Sequence, residues 1–316
     1  MRVTATARLH FGFLDPSGRG LRPFGSFGLS LDRPKTRLTL KRAPKLHISG
    51  PERERGGRYL KTIAASCGIS QTYALNIEEA IPPHAGLGSG TQLALAIGSA
   101  FAALEGLALS LQEIAARLGR GARSGIGIYT FDQGGAVLDS GPFDGDLPQM
   151  VARVPFSPDW RVLLIFDPDT RGLAGESEVA AFETLLDFSV SEADDLPRRI
   201  TQRALPALEA GDFAAFSAEV GHLQAVMGAY FSPLQGGPYV SASVSDVLAR
   251  LSDQGVTGLG QSSWGPTGFA FVASEAEGEA LLAGLRARVH NGPLCFALAR
   301  GRNEGATIET NPQEIR

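Results

Sequence analysis

Three glycines in five positions, Gly86, Gly88 and Gly90, alternate with Leu87 and Ser89 and run into Thr91 and Gln92. That pattern suits the holding of an anion. Glycine lets a backbone come close to a phosphate, and a helix starting there turns unpaired N–H groups and its positive dipole end towards the charge. The stretch reads "PPHAGLGSGTQ" over 82–92, and an uncharged run, "LALAIGSAFAAL", follows at once. A tight turn ahead of a buried helix is the plainer alternative. The loop lacks the GK[ST] ending of a Walker A loop, and no GxGxxG follows a first strand. Arg8, Arg22 and Arg123 offer planar forks for phosphate or carboxylate. Arg22 is the best placed, among turn residues rather than on a strand face, although a loop arginine can simply be solvated. Asp15 suits a metal ion, a ribose hydroxyl or a cationic centre, or else an Asx turn before Pro16. His10 can hydrogen-bond a phosphate or carboxylate, or be a satisfied structural histidine. Ser26 can orient a substrate or cap a loop. Phe24, Phe27, Tyr129 and Trp264 can stack on a ring or belong to the core. Trp264 is the best of the four because it sits in a Gly-rich stretch. His84 reads as a solvent-facing turn residue.

These groups need strands and helices to position them. Residues 2–14 alternate, with Val3, Ala5, Ala7, Leu9, Phe11 and Phe13 on one parity, and predict a strand. A Gly/Pro-rich loop follows over 15–28, then strands over 36–42 and 72–83, the latter ended by Pro82 and Pro83. The helix over about 91–104 carries no charge on any face and is expected to be buried all round. Residues 110–119 predict a helix with Ser110 and Glu113 as a capping box and Gly119 at the C-terminus. The charge run "ERERGGR" over 52–58 reads as a solvated loop. After a strand over 149–156, the break at 157–160 divides the chain into domains over 1–157 and 158–316. The second half reads as a buried strand at 161–167, helices at 176–189, 198–209, 213–229 and 241–255, a strand–turn–strand at 256–274, a helix at 275–289 and a strand at 294–300. This is a split βαβ layout. The tail from Gly305 is polar and expected to be loosely held.

The motifs resemble those of the GHMP superfamily of small-molecule kinases. "PPHAGLGSG" is similar to its second motif, P-x-x-x-G-L-G-S-S. "GLGQSSWGPTGFAF", 258–271, looks like the third. "SGIGIYTFDQGG", 124–135, lines up with S-G-I-D followed by G-G. The departures carry weight. Gly127 stands where the kinases have a catalytic Asp, and Gly90 where they have a Ser that helps to hold Mg²⁺. Thr91 offers a hydroxyl one residue on, but nothing adjacent replaces the carboxylate, and Asp132 would need a different path. Phosphoryl transfer depends on positioning metal and nucleophile, so these losses argue against a kinase. The opening "ARLHFGFLDPSGRGLRPFGSFGLSLDRP", 7–34, resembles the β-ribofuranosylaminobenzene 5′-phosphate synthase family, a non-kinase branch of the superfamily. Arg8, Leu9, His10, Asp15, Arg22, Gly25, Gly28 and Asp32 match. Ala7, Phe13, Leu21 and Ser26 depart. "SSWGPT", 262–267, is similar to that family's S-S-F-G-P-T. The resemblance runs from about residue 5 to residue 275.

The resemblance implies an α+β, two-domain GHMP-kinase-like fold with a ribosomal S5-like N-terminal domain and a ferredoxin-like C-terminal domain. It implies an enzyme that condenses phosphoribosyl pyrophosphate with 4-aminobenzoate (or 4-hydroxybenzoate). CO₂ and pyrophosphate leave, and a C-riboside forms, in tetrahydromethanopterin biosynthesis. Mg²⁺ as cofactor and a homodimer are further expectations. Asp15, Arg22 and Ser26 are the expected catalytic groups. The expected binding set is Arg8, His10, Gly86, Leu87, Gly88, Ser89, Gly90, Thr91, Gln92, Arg123, Ser124, Gly125, Ser262, Ser263, Trp264 and Gly265. No metal ligand is assigned. The reaction needs anion stabilisation at the leaving group and no covalent nucleophile from the protein.

Composition fits this reading. Hydrophobic residues make up 43% and charged residues 20%, enough apolar material for a sizeable core. A net charge of −4 gives no sign of a nucleic-acid or membrane partner. Cys67 and Cys295 form no CxxC pair, the first residues lack a signal-peptide core, and no apolar run reaches ~18 residues. A cytoplasmic protein is expected. Two other readings stand beside the synthase: a divergent GHMP kinase using Thr91 and a relocated carboxylate, and a non-catalytic binding protein of the same fold.

Overall fold

The alternating residues at the start of the chain form β1 (Arg2–Phe13), which pairs antiparallel with β2 (Ser26–Arg42). Val3, Ala5, Ala7, Leu9 and Phe11 are fully buried on one parity, as the pattern demands. The computed structural model describes residues 1–16, 25–172, 181, 185, 188–288 and 293–310. β2 is one 17-residue strand rather than the short strand expected over 36–42. Its ladder to β1 is interrupted between Thr6 and Arg8, whose partners are Lys35 and Ser30. Pro34 falls in that bulge, where no N–H is required of it.

Next come β3 (His47–Ser49), α1 (Arg53–Ser66), β4 (Tyr73–Glu79), α2 (Ser89–Glu105), α3 (Leu111–Arg117), α4 (Ile126–Asp132), β5 (Ala136–Asp139) and β6 (Met150–Val154). Helix α3 carries the expected capping box. The charge run at 52–58 is not a solvated loop but the start of α1. Tyr59, Leu60, Ile63 and Ala64 supply its apolar face. Gly56 and Gly57 are buried too, because a Cβ on either would stand 2.8 Å from Ile77 Cδ1 or Ile48 Cδ1. Glycines on the packed face hid the helical period from the sequence pattern.

The second half contains β7 (Arg161–Phe166), α5 (Val190–Arg199), a π-helical turn (Ile200–Ala204), α6 (Leu205–Ala210), α7 (Phe213–Gln235), α8 (Ala242–Asp253), β8 (Leu259–Gln261), β9 (Gly268–Val272), α9 (Glu275–Arg288) and β10 (Cys295–Ala299). The helix expected at 176–189 lies largely outside the described residues. β7–β10 form one antiparallel sheet in the order β10-β7-β9-β8. The tail is not loosely held throughout. β11 (Thr307–Glu309) returns to the first sheet and pairs with β1, Val3 opposite Ile308. Its side chains are exposed, so it looks polar, but its backbone satisfies the edge of β1. The first sheet thus runs β11-β1-β2-β4-β3, with β5 on β2 and β6 on β5.

The two sheets share a core. Phe11 and Phe27 from the first meet Phe269 and Phe271 from the second, with Phe156 and Phe216 between them. This aromatic junction fixes β1 against the 262–265 turn, on which the site depends. No helix among the described residues is long and apolar enough to cross a membrane.

Candidate active site

The Gly-rich loop leads into α2 as expected. Gly86 and Gly88 adopt left-handed backbone, with φ of +75° and +77°. Gly88 is the N-cap and no side chain caps it, so the first N–H groups of α2 stay available. Leu87 plugs into the core at 1% exposure. The Arg8 N–H donates to Leu87 O at 3.2 Å and Arg8 Nη1 to Gly86 O at 2.6 Å. Ser262 Oγ donates to Gly86 O at 2.8 Å and accepts from the His10 N–H at 3.0 Å. The Ser263 N–H donates to His10 O at 3.0 Å. Three segments far apart in sequence, β1, the loop and the 262–265 turn, are therefore stitched together. A Cβ on Gly86 would stand 2.1 Å from Ser262 O, so only glycine permits the approach.

The loop forms one wall of a cavity of about 760 Å³. Six arginines line it, Arg8, Arg53, Arg55, Arg58, Arg120 and Arg171, against two glutamates, Glu52 and Glu54. His84, Gly86, Gly88, Ser89, Gly90, Thr91 and Ser263 also face it. Arg55 pairs with Glu52 at 2.8 Å and lies 3.5 Å from Ser89 Oγ. Arg120 lies over the Tyr59 ring, 5.3 Å from its centre, and donates to its hydroxyl. A Cβ on Gly90 would meet Arg120 Nη1 at 3.5 Å, and the Arg8 guanidinium lies beside Gly88. The Nε atoms of Arg55 and Arg120 are buried with no partner among the described residues. Such a concentration of positive charge in a concave site draws anions. Apart from Arg8, none of these arginines was singled out in the sequence. The charge run at 52–58 was the available signal, and it was legible only once α1 was seen to begin there.

Gly127, where the resemblance to the kinases expects an Asp, leaves little room for a side chain. A Cβ on Gly127 would stand 2.9 Å from Thr91 Cγ2 and 3.3 Å from Thr91 Cβ. Gln92, fully buried, donates from Nε2 to Gly127 O at 2.8 Å. The space for a catalytic carboxylate at 127 is thus occupied by Thr91 and braced by Gln92. Asp132 is exposed and accepts from Gln133, and it is not among the cavity's lining residues.

Other expected residues lie elsewhere. Ser26, fully buried, donates to Asp139 Oδ2 at 2.6 Å and lies 2.7 Å from Ser124 Oγ. The Gly125 N–H donates to the same carboxylate at 2.7 Å, and Ser124 Oγ at 3.3 Å. Burial raises the Asp139 pKa, while hydrogen bonds from Ser26, Gly141 and Gly125 oppose the rise. Asp139, unnoticed in the sequence, ties the start of β2 to the start of α4. Asp15 is buried at 6% exposure, and Arg123 is half-buried. Arg22 and Phe24 lie outside the described residues. Phe27 and Tyr129 are core, the Tyr129 hydroxyl donating to Pro148 O at 2.8 Å.

A second, small cavity of about 30 Å³ has His10, Phe13, Met227, Phe231, Ser263 and Trp264 among its walls. Trp264 and Phe231 rings lie 4.4 Å apart. Gly265 completes the turn with a φ of +56°. Burial, with Arg8 nearby, lowers the His10 pKa to about 3, so the imidazole is neutral near pH 7 and brings no charge to an anion. Its Nε2 is buried without a partner among the described residues. Ser263, at a φ of +55°, borders both cavities.

The GHMP kinases N terminal domain matches residues 57–135 and the GHMP kinases C terminal domain residues 204–291. The β-ribofuranosylphenol 5′-phosphate synthase of Archaeoglobus fulgidus is 31% identical over 88% of this chain and 90% of its own. That of Methanothermobacter thermautotrophicus is 27% identical over 96% and 97%. The chain belongs to the β-ribofuranosylphenol 5′-phosphate synthase family. Solved structures share the fold of this family member. Lactococcus lactis galactokinase gives a TM-score of 0.70 at 15% identity over 97% of this chain and 94% of its own. Homoserine kinase from Cytophaga hutchinsonii gives 0.67 at 15% identity over 97% and 96%. The two-domain GHMP fold implied by the sequence is therefore the fold adopted.

Proposed function

We propose that the protein joins phosphoribosyl pyrophosphate to a para-substituted benzoate, releasing CO₂ and pyrophosphate and forming a C-riboside 5′-phosphate. The observation that carries this reading is a phosphate loop opening on an arginine-lined cavity whose kinase carboxylate position is filled by Thr91. The relatives are named for a ribofuranosylphenol product, which weighs towards 4-hydroxybenzoate as acceptor. 4-Aminobenzoate, the acceptor first expected, is the second candidate.

The C1–O bond of the donor breaks and its electron pair leaves with the diphosphate. The loop N–H groups, Arg8 and the other arginines stabilise the growing negative charge. The ring carbon bearing the carboxylate bonds to C1, helped by electron donation from the para group. The bond to the carboxylate then breaks, CO₂ leaves, and the electron pair restores aromaticity. Among the described residues no group of three or more His, Cys, Asp or Glu forms a resident metal site. An Mg²⁺ carried in on the diphosphate would screen part of the leaving-group charge. A homodimer and a place in tetrahydromethanopterin biosynthesis belong with the same reading.

The test is to mix the protein with phosphoribosyl pyrophosphate, Mg²⁺ and carboxyl-labelled 4-hydroxybenzoate or 4-aminobenzoate. Labelled CO₂ is expected, faster from the hydroxy acid. Phosphoryl transfer from ATP to a small alcohol, with no CO₂ from either acid, overturns the proposal.

A further inference from the structure

The phosphate loop is only one side of the cationic cavity. The N-terminus of α1, a 14-residue helix whose N-cap, Glu52, makes no side-chain cap, is another part of its wall. Arg53 and Arg58 project from its first turns, exposed, and neither has an acidic partner among the described residues. Arg55 and Arg120 line the same cavity beside the loop, Arg55 3.5 Å from Ser89 Oγ and Arg120 next to Gly90. Arginines lining a cavity with unspent donors mark an anion site of their own. Two uncapped helix starts therefore face one cavity.

A phosphoribosyl donor carries phosphate at two ends, a diphosphate on C1 and a monoester on C5. The acceptor ring must reach C1. The aromatic side chains of Trp264, Phe231 and Phe13 adjoin the cavity at Ser263, and a ring would rest against that wall rather than in the gap of about 30 Å³ they enclose. C1 and its diphosphate then belong at the Gly86–Gly88 end, which leaves the monoester pointing to α1.

Resting on the synthase reading, we infer that Arg53 and Arg58 at the start of α1 form a phosphomonoester subsite that holds the 5′-phosphate, while the glycine loop, with Arg55 and Arg120 beside it, holds the diphosphate. The two-ended grip sets which face of the sugar meets the acceptor. It also provides for recognition of ribose 5-phosphate without any pyrophosphate.

The test measures binding of ribose 5-phosphate and of inorganic pyrophosphate to the full chain by calorimetry, for the wild type, Arg53→Ala/Arg58→Ala and Arg58→Lys. The double variant is expected to bind ribose 5-phosphate at least about 10-fold more weakly and pyrophosphate within about 2-fold of wild type. Retained pyrophosphate binding doubles as the check on folding. Arg58→Lys is expected to fall between, since the charge stays and the fork is lost. Unchanged ribose 5-phosphate binding, or loss confined to pyrophosphate, overturns the assignment. If the wild type releases no CO₂ but the double variant still loses the monoester selectively, the synthase reading falls and the subsite stands.

Discussion

Helices α1 and α2 present their N-termini to the same cavity by different means. At α2 the backbone does the work: Gly86 and Gly88 bend left-handed and leave N–H groups bare. At α1 the backbone is ordinary helix after Glu52, and the charge comes from Arg53, Arg55 and Arg58. Three other helices close their starts with a side chain: Ser110 caps α3, Asp212 caps α7 and Ser241 caps α8. A backbone site is rigid and intolerant of any side chain. A side-chain site is adjustable and tolerates change in the helix beneath it.

The comparison predicts unequal costs for adding one methyl group. Gly86→Ala has the largest effect. Its φ of +75° and the Ser262 carbonyl 2.1 Å from the new Cβ force the loop off the 262–265 turn. About 3 kcal/mol or more of stability is expected to be lost in urea unfolding, and pyrophosphate binding to drop about 100-fold. A variant with near wild-type binding would break the contrast at its stronger end.

Gly127→Asp comes next. It adds the carboxylate that the resemblance to the kinases expects there but drives it into Thr91. A loss of roughly 1–3 kcal/mol is expected, with no transfer from ATP to small alcohols. Adding Thr91→Ala is expected to recover part of the stability, read as a coupling in a double-mutant cycle. ATP-dependent kinase activity in the single variant would show that only the carboxylate was missing.

Gly56→Ala in α1 has the smallest effect. The new Cβ meets the movable end of Ile77 at 2.8 Å, and alanine gains about 1 kcal/mol of helix propensity over glycine. Net stability is expected within about 1 kcal/mol of wild type, with ribose 5-phosphate binding little changed. A loss matching that of Gly86→Ala would mean that α1 is as rigidly specified as the loop.

Much of the frame was legible in the chain. Parity along β1, the uncharged run of α2, the Ser110–Glu113 box and the order of elements around the 262–265 turn all appear where periodicity and turn chemistry put them. Local signals of this kind survive because neighbours in sequence decide them. α1 was missed since its apolar face includes Gly56 and Gly57, and β11 since its contribution is backbone pairing. Asp139 gave no local cue, because its partners Ser26 and Gly125 come from other elements.

By itself the sequence determined that a Gly-rich loop opens a buried helix, that position 127 carries glycine and no carboxylate, and which family the motifs resemble. Those are properties of residue type and short spacing. Only tertiary structure decided what surrounds the loop. It brought Arg53, Arg55 and Arg58 from α1 and Arg120 from beyond the turn that ends α3 to face it, and it set Thr91 over Gly127. It also buried His10 until its imidazole lost its charge. The physical reason is that charge, desolvation and close packing depend on distance in space, which the spacing of residues along the chain does not carry.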